Sequence, residues 1–135
     1  MKIKVPPLPP STEDLLIADP GHVAWVSAVE LGYPAGAKVA LIGQEPATLG
    51  QTMYLQLPKG YQLPMHWHTH PTHLVMTAGQ GTLVVAGKPH PLVAGSYASL
   101  PSKVQHALGC ESADGCTFVV RRTGPDDVHF VKPAK

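Results

Sequence analysis

An all-β sandwich or barrel is the fold class this sequence predicts, and three observations predict it. Short apolar or alternating runs recur at close spacing along most of the chain, and 15 prolines and 13 glycines punctuate them. Only 14% of the residues are charged against 44% hydrophobic, a composition compact, rich in turns and poor in long helices. At 135 residues the chain has the length of one domain with one real core.

The elements follow in order. Met1 to Pro10 is a proline-rich arm whose PPLPP suits polyproline II or a segment laid along a partner subunit. Ser11-Thr12-Glu13-Asp14 before Leu15-Leu16-Ile17 reads as a helix N-cap with one or two turns, stopped by Pro20-Gly21. Residues 1–22 are therefore an arm with a short helix, and 23–135 the β domain. Val23 to Val26 and Lys38 to Ile42 are short strands; Trp25 is a core or interface anchor. Thr52 to Leu57 alternates, with Met53, Leu55 and Leu57 on one face and Tyr54 and Gln56 on the other. After the turn Pro58-Lys59-Gly60 comes a strand from Met65 to His70, ended by Pro71, and a second run opened by His73 and ending at Gly79. Thr82 to Ala86 is a strand, Gly87 to Pro91 a loop in which His90 is solvated, and Tyr97 to Leu100 a strand. Val104 to Leu108, Thr117 to Arg121 and Val128 to Val131 complete the set, and no internal repeat is present.

Charge and cysteines narrow the function classes. The formal net charge is +1 and no basic cluster exceeds Arg121-Arg122, so neither nucleic acid nor an acidic lipid surface is an expected partner. No run reaches signal-peptide or membrane-spanning length, which predicts a cytoplasmic location. Cys110 and Cys116, with five residues between them, flank a loop sequence, ESADG. The spacing matches neither a zinc finger nor a thioredoxin motif. Facing positions would permit a disulfide, and a cytoplasmic location predicts reduced thiols.

The chemistry concentrates between Gly60 and Gly81. His66, His68, His70 and His73 are four of the eight histidines of the chain. On a strand, His66, His68 and His70 point one way and Met65, Trp67 and Thr69 the other. A row of imidazoles is poor core material, because each ring carries a donor and an acceptor that need partners. A solvated histidine-rich tract is the bland alternative. A metal ion satisfies several rings at once, and neutral imidazole is the commonest metal ligand near neutral pH.

The stretches Gly60–Gly81 and Gly95–His106 together resemble the two motifs of the cupin family. The first motif reads Gly-x5-His-x-His-x(3,4)-Glu-x6-Gly and is matched at Gly60, His66 and His68. The second reads Gly-x5-Pro-x-Gly-x2-His-x3-Asn and is matched at Gly95, Pro101 and His106. The likeness runs from about residue 37 onward. It implies a cupin-type double-stranded β-helix, the jelly-roll barrel, with the arm and short helix in front. It also implies His66, His68 and His106 as ligands of one divalent transition metal, and a homodimer. The family glutamate is missing; Thr72 and His73 stand at its two allowed spacings, while Lys103 replaces the second-motif glycine and Cys110 its asparagine. His73 resembles the pattern of ChrR-like cupins, named for a zinc-binding anti-sigma factor, and is suggested as a fourth ligand. His70 is assigned to the rim.

An imidazole-only ligand set leaves the full charge of the ion on the protein and suits Fe, Ni, Cu or Zn over Mg, Ca or Mn. Tyr54, Gln56, His70, Thr72 and Tyr97, together with Arg121, are candidates for a substrate pocket, with ordinary barrel packing as the competing role of each. Three functions compete. A metal-dependent oxygenase acting on a small molecule stands slightly ahead. A non-redox isomerase or lyase ranks lower, because no Asp or Glu lies between Glu45 and Glu111 to act as base. A ChrR-like zinc-binding sensor would use Cys110 and Cys116 as its redox pair.

Overall fold

The computed structural model describes residues 15–132, and the chain there builds two antiparallel sheets around one core. The first sheet holds β1 (Val26–Ser27), β2 (Lys38–Gln44), β3 (Gln51–Leu57), β5 (Thr72–Ala78), β8 (Tyr97–Leu100) and β10 (Cys116–Arg122). Their order is β1-β2-β3-β10-β5-β8. The second holds β4 (Gln62–Trp67), β6 (Gln80–Val85), β7 (Lys88–Val93), β9 (His106–Cys110) and β11 (His129–Phe130), in the order β11-β4-β9-β6-β7. From β3 onward the chain changes sheet at every connection except β6 to β7, which is the winding of a jelly roll. A short 3-10 helix, Ala28–Leu31, is capped by the Ser27 side chain and ended by Gly32 at φ 92°.

Alternation sets the core. In β3, Met53, Leu55 and Leu57 face inward as their period-two spacing predicts, and in β10 Phe118 and Val120 do the same. Phe118, Leu57 and Met76 are fully buried, each contributing roughly 1.5–3 kcal/mol of apolar transfer.

Four expectations need revision. Residues 15–19 form no helix; the capping segment 11–14 lies outside the described residues. Of Val23 to Val26 only Val26 pairs in a sheet, and the Trp25 indole instead donates to the Pro20 carbonyl at 2.9 Å. The segment expected as a loop at 87–91 is largely strand β7, paired along its length with β6. Pro89 and Pro91 fit there because β7 is an edge strand, where a missing N–H can face away from the ladder. Finally, Cys110 and Cys116 form a disulfide rather than free thiols. The β9–β10 connection brings their Cα atoms to 5.8 Å, within bridging range, and ties the end of one sheet to the start of a strand in the other. Both cysteines are buried.

Candidate metal centre

The site begins with an irregularity in β4. Leu63 pairs with Leu108 of β9, and the next recorded pair is His66 with His106. Three steps on β4 therefore match two on β9, which is a β-bulge at Pro64-Met65. Leu63 and His66 are an odd number of residues apart, yet both are buried in the barrel. A regular strand would have sent one of them outward. Proline suits the bulge because that position needs no ladder donor.

Three imidazoles meet behind it. Ring centroids are 4.2 Å apart for His66 and His106, 5.0 Å for His66 and His68, and 5.3 Å for His68 and His106. One donor atom from each lies within 4.8 Å of the other two. All three rings are held the same way. His66 Nδ1 contacts the Pro64 carbonyl at 2.7 Å, His106 Nδ1 the Val104 carbonyl at 3.0 Å, and His68 Nδ1 the Asp127 carbonyl. A carbonyl only accepts, so each Nδ1 carries the proton and each Nε2 presents a lone pair. Three neutral imidazoles with fixed tautomers and lone pairs on Nε2 fit a transition metal ion, and no carboxylate belongs to the group.

Electrostatics keeps the rings neutral. Burial, reinforced by His106, lowers His66 to a pKa of about 4. Burial and then the Arg122 charge lower His68 to about 3, and burial also lowers His106. Uncharged imidazole is the form a metal binds.

Around the rings the barrel closes to a cavity of about 20 Å³, walled by Tyr33, Leu55, Leu63, Thr72, Leu74, Leu108, Val120 and Arg122. That is room for one ion or one water, not for an organic molecule. Arg122 is the unexpected wall. It is 3% exposed, its Nη2 lies 3.2 Å from His68 Nε2, and its Nη1 lies 2.8 Å from Asp126 Oδ1. Burial raises the Asp126 pKa, with Arg122 pulling the other way, and burial also raises Tyr33, again against Arg122. Asp127 secures the neighbouring loop. Its carboxylate accepts from the Thr69 N–H at 2.9 Å and from the Thr69 hydroxyl, and it meets His129 Nε2 at 3.0 Å.

The expected site residues divide sharply. His66, His68 and His106 come together, and Thr72, 3% exposed, lines their cavity. His73 does not join them. It follows Thr72 on β5 and so faces outward, where its Nδ1 meets the Tyr97 hydroxyl at 2.8 Å and the two rings stack. With His73 turned away, the likeness to ChrR-like cupins loses the residue that suggested it. Tyr97 is 61% exposed and Gln56 is exposed. Tyr54 is buried on the outer face of β3, donating to the Ala18 carbonyl at 3.1 Å beneath Trp25. Arg121 reaches Thr52 and Glu45 at the surface. His70 lies past the end of β4 and packs on Gly124, with its Nδ1 buried and unpartnered.

Sequence reasoning missed Arg122, Asp126, Asp127 and Tyr33. For Arg122 a signal existed: Phe118, Val120 and Arg122 share one strand face. For the two aspartates, in the loop after β10, and for Tyr33 no local pattern marks the site.

The cupin domain family matches residues 53–121, half of the chain, from within β3 through most of β10. Curated proteins give no match. Solved structures give many. The chain is similar to the polyketide cyclase RemF from Streptomyces resistomycificus, with TM-score 0.72 and 16% identity over 90% of this chain and 89% of that one. It is similar to an acetylacetone dioxygenase from Acinetobacter johnsonii, with TM-score 0.69 and 19% identity over 96% and 85%. KdgF from Halomonas sp. matches with TM-score 0.69 and 15% identity over 85% and 97%. At these identities the likeness is one of fold. No helix among the described residues is long and apolar enough to cross a membrane. With a jelly-roll winding, three histidines from the two motif stretches at one point, and a family match over half its length, this chain belongs to the cupin family.

Proposed function

We propose that the protein is a metal-dependent oxygenase of small molecules that holds its ion with His66, His68 and His106 alone. The observation that carries this is the carboxylate-free trio, each ring with Nδ1 committed to a backbone carbonyl and Nε2 turned to its neighbours. When bound, an iron, copper or nickel ion would supply dioxygen chemistry and keep its full charge for an anionic ligand. The protein's own part is to orient the rings, to confine the ion in a cavity of about 20 Å³, and to place the Arg122 cation beside His68. That a fold relative from Acinetobacter johnsonii is an acetylacetone dioxygenase supports the class of chemistry.

A second function gains from one specific observation. An isomerase or lyase using zinc as a Lewis acid needs a base, and Asp126, raised by burial, stands one side chain away from the rings. The sensing function loses ground, because the cysteine pair is buried within a disulfide and closed to a solvent oxidant.

The test is oxygen consumption by anaerobically iron-loaded protein, on addition of air, with a panel of diketones, thiols and flavonols. Consumption that depends on iron and on one panel member supports the oxygenase. Fully iron-loaded protein that consumes no oxygen with any member overturns it, and turnover of the zinc form without oxygen selects the second function.

A further inference from the structure

A second, larger cavity lies behind Arg122. Its volume is about 200 Å³, and Leu31, Val39, Leu41 and Met53 give it apolar walls. Half-buried Asp126 and exposed Glu30 are the charged residues of its lining. Arg122 links the two cavities through side-chain contacts and does not itself line the large one. Arg122 walls the small cavity, and its Nη1 lies 2.8 Å from Asp126 and 3.9 Å from the Met53 sulfur, both of which line the large one.

Arg122 is under-used for a buried guanidinium. It offers five donors, yet its Nε has no partner and its Nη2 is satisfied by His68 Nε2. That nitrogen is the one a metal would take, so an occupied site strips Nη2 of its acceptor. A buried cation with unmet donors is costly, and an oxyanion is the group that meets two of them in one plane.

Resting on the three-histidine site proposed above, we propose that the 200 Å³ cavity receives the apolar body of a small monoanionic molecule and that Arg122 binds its oxyanion. Asp126 acts as the competitor that holds Arg122 until the ligand arrives. The histidine cavity, with room for one ion, takes no part of the ligand. The carboxylates of Asp126 and Glu30 disfavour a dianion, and the apolar walls disfavour a sugar or a nucleotide.

The probes are benzoate and its neutral counterpart benzamide, titrated into metal-free and zinc-loaded protein and followed by amide and Arg122 Nε–H NMR signals. Metal content is measured in parallel. Benzoate is expected to shift the Arg122 Nε–H signal and the amides of Val39 and Met53. Arg122→Gln combined with Asp126→Asn, which removes both charges together, weakens benzoate by about tenfold or more and leaves benzamide unchanged. Asp126→Asn alone tightens benzoate, a gain that a purely structural role for the pair would not produce. Leu41→Trp, at a position already exposed, weakens both probes by filling the cavity. Equal affinity for benzoate and benzamide, or weaker benzoate binding in Asp126→Asn, overturns the proposal. Protein that takes up no metal yet binds benzoate through Arg122 keeps the anion site and sinks the oxygenase. Metal-replete protein that does not distinguish the probes does the reverse.

Discussion

Thr72 and Arg122 face each other across β5 and β10, and His73 and Arg121 are the adjacent pair on the same ladder. The first pair is buried against the three imidazoles and the second lies on the outside. A carboxylate at position 72 would therefore enter the metal cavity opposite a cation, whereas changes at 73 stay outside it. Thr72→Glu is expected to raise Mn²⁺ affinity by about tenfold or more, because oxygen donors suit manganese. His73→Ala is expected to leave metal stoichiometry unchanged. Metal analysis after dialysis against each ion distinguishes the two.

Acid should unfold the metal-free protein early. His66 and His68 are lowered from 6.5 to about 4 and about 3, chiefly by burial. Below pH 6.5 the unfolded chain takes up protons that the native rings refuse, so stability falls as pH drops from 6.5 towards 4 and on towards 3. Above 6.5 neither state is protonated and the contribution is flat. The loss is on the order of 3 kcal/mol for His66 and 5 kcal/mol for His68 once both native rings are protonated. Urea unfolding of wild type and His66→Gln between pH 7.5 and 4 checks it: the variant should show the shallower slope.

The loop after β10 positions His68 from a distance in sequence. Its Asp127 carbonyl accepts from the ring, while its carboxylate anchors Thr69 and His129. Asp127→Ala keeps the carbonyl but frees the loop. Metal affinity should fall by about 10-fold to 100-fold, the usual effect of disturbing a group that orients a ligand. Competition against a chromophoric chelator measures the change, with circular dichroism showing the fold intact.

His70 and Gly124 are packed so closely that a Cβ on Gly124 would lie 2.3 Å from the imidazole Cδ2. Gly124→Ala is expected to cost about 1–3 kcal/mol through overpacking. Adding His70→Ala should recover most of that loss, and a double-mutant cycle by chemical denaturation measures the coupling.

Most of the barrel was legible because its strands obey period-two patterning and its turns carry glycine and proline. The trio His66, His68 and His106 was legible from the motif spacing. The choice between Thr72 and His73 was not, because spacing in sequence does not say on which residue a strand resumes its inward parity after Pro71. The same one-residue ambiguity hid Arg122 behind Arg121. The inward turn of His66 depends on a bulge that no local residue pattern announces, since Leu63 and His66 share a face only once an extra residue is inserted. Asp126 and Asp127 reach the site by long-range folding of a loop, which composition cannot encode.

Strand β7 bounds the second sheet, and Pro89 and Pro91 lie two residues apart on it. Both keep their place in the ladder to β6, so their nitrogens turn to the open side. A strand arriving from another molecule would find no hydrogen to bond at either point. Growth of the sheet from chain to chain is thus disfavoured along this border, which blunts the edge against fibril-like pairing between copies of the protein.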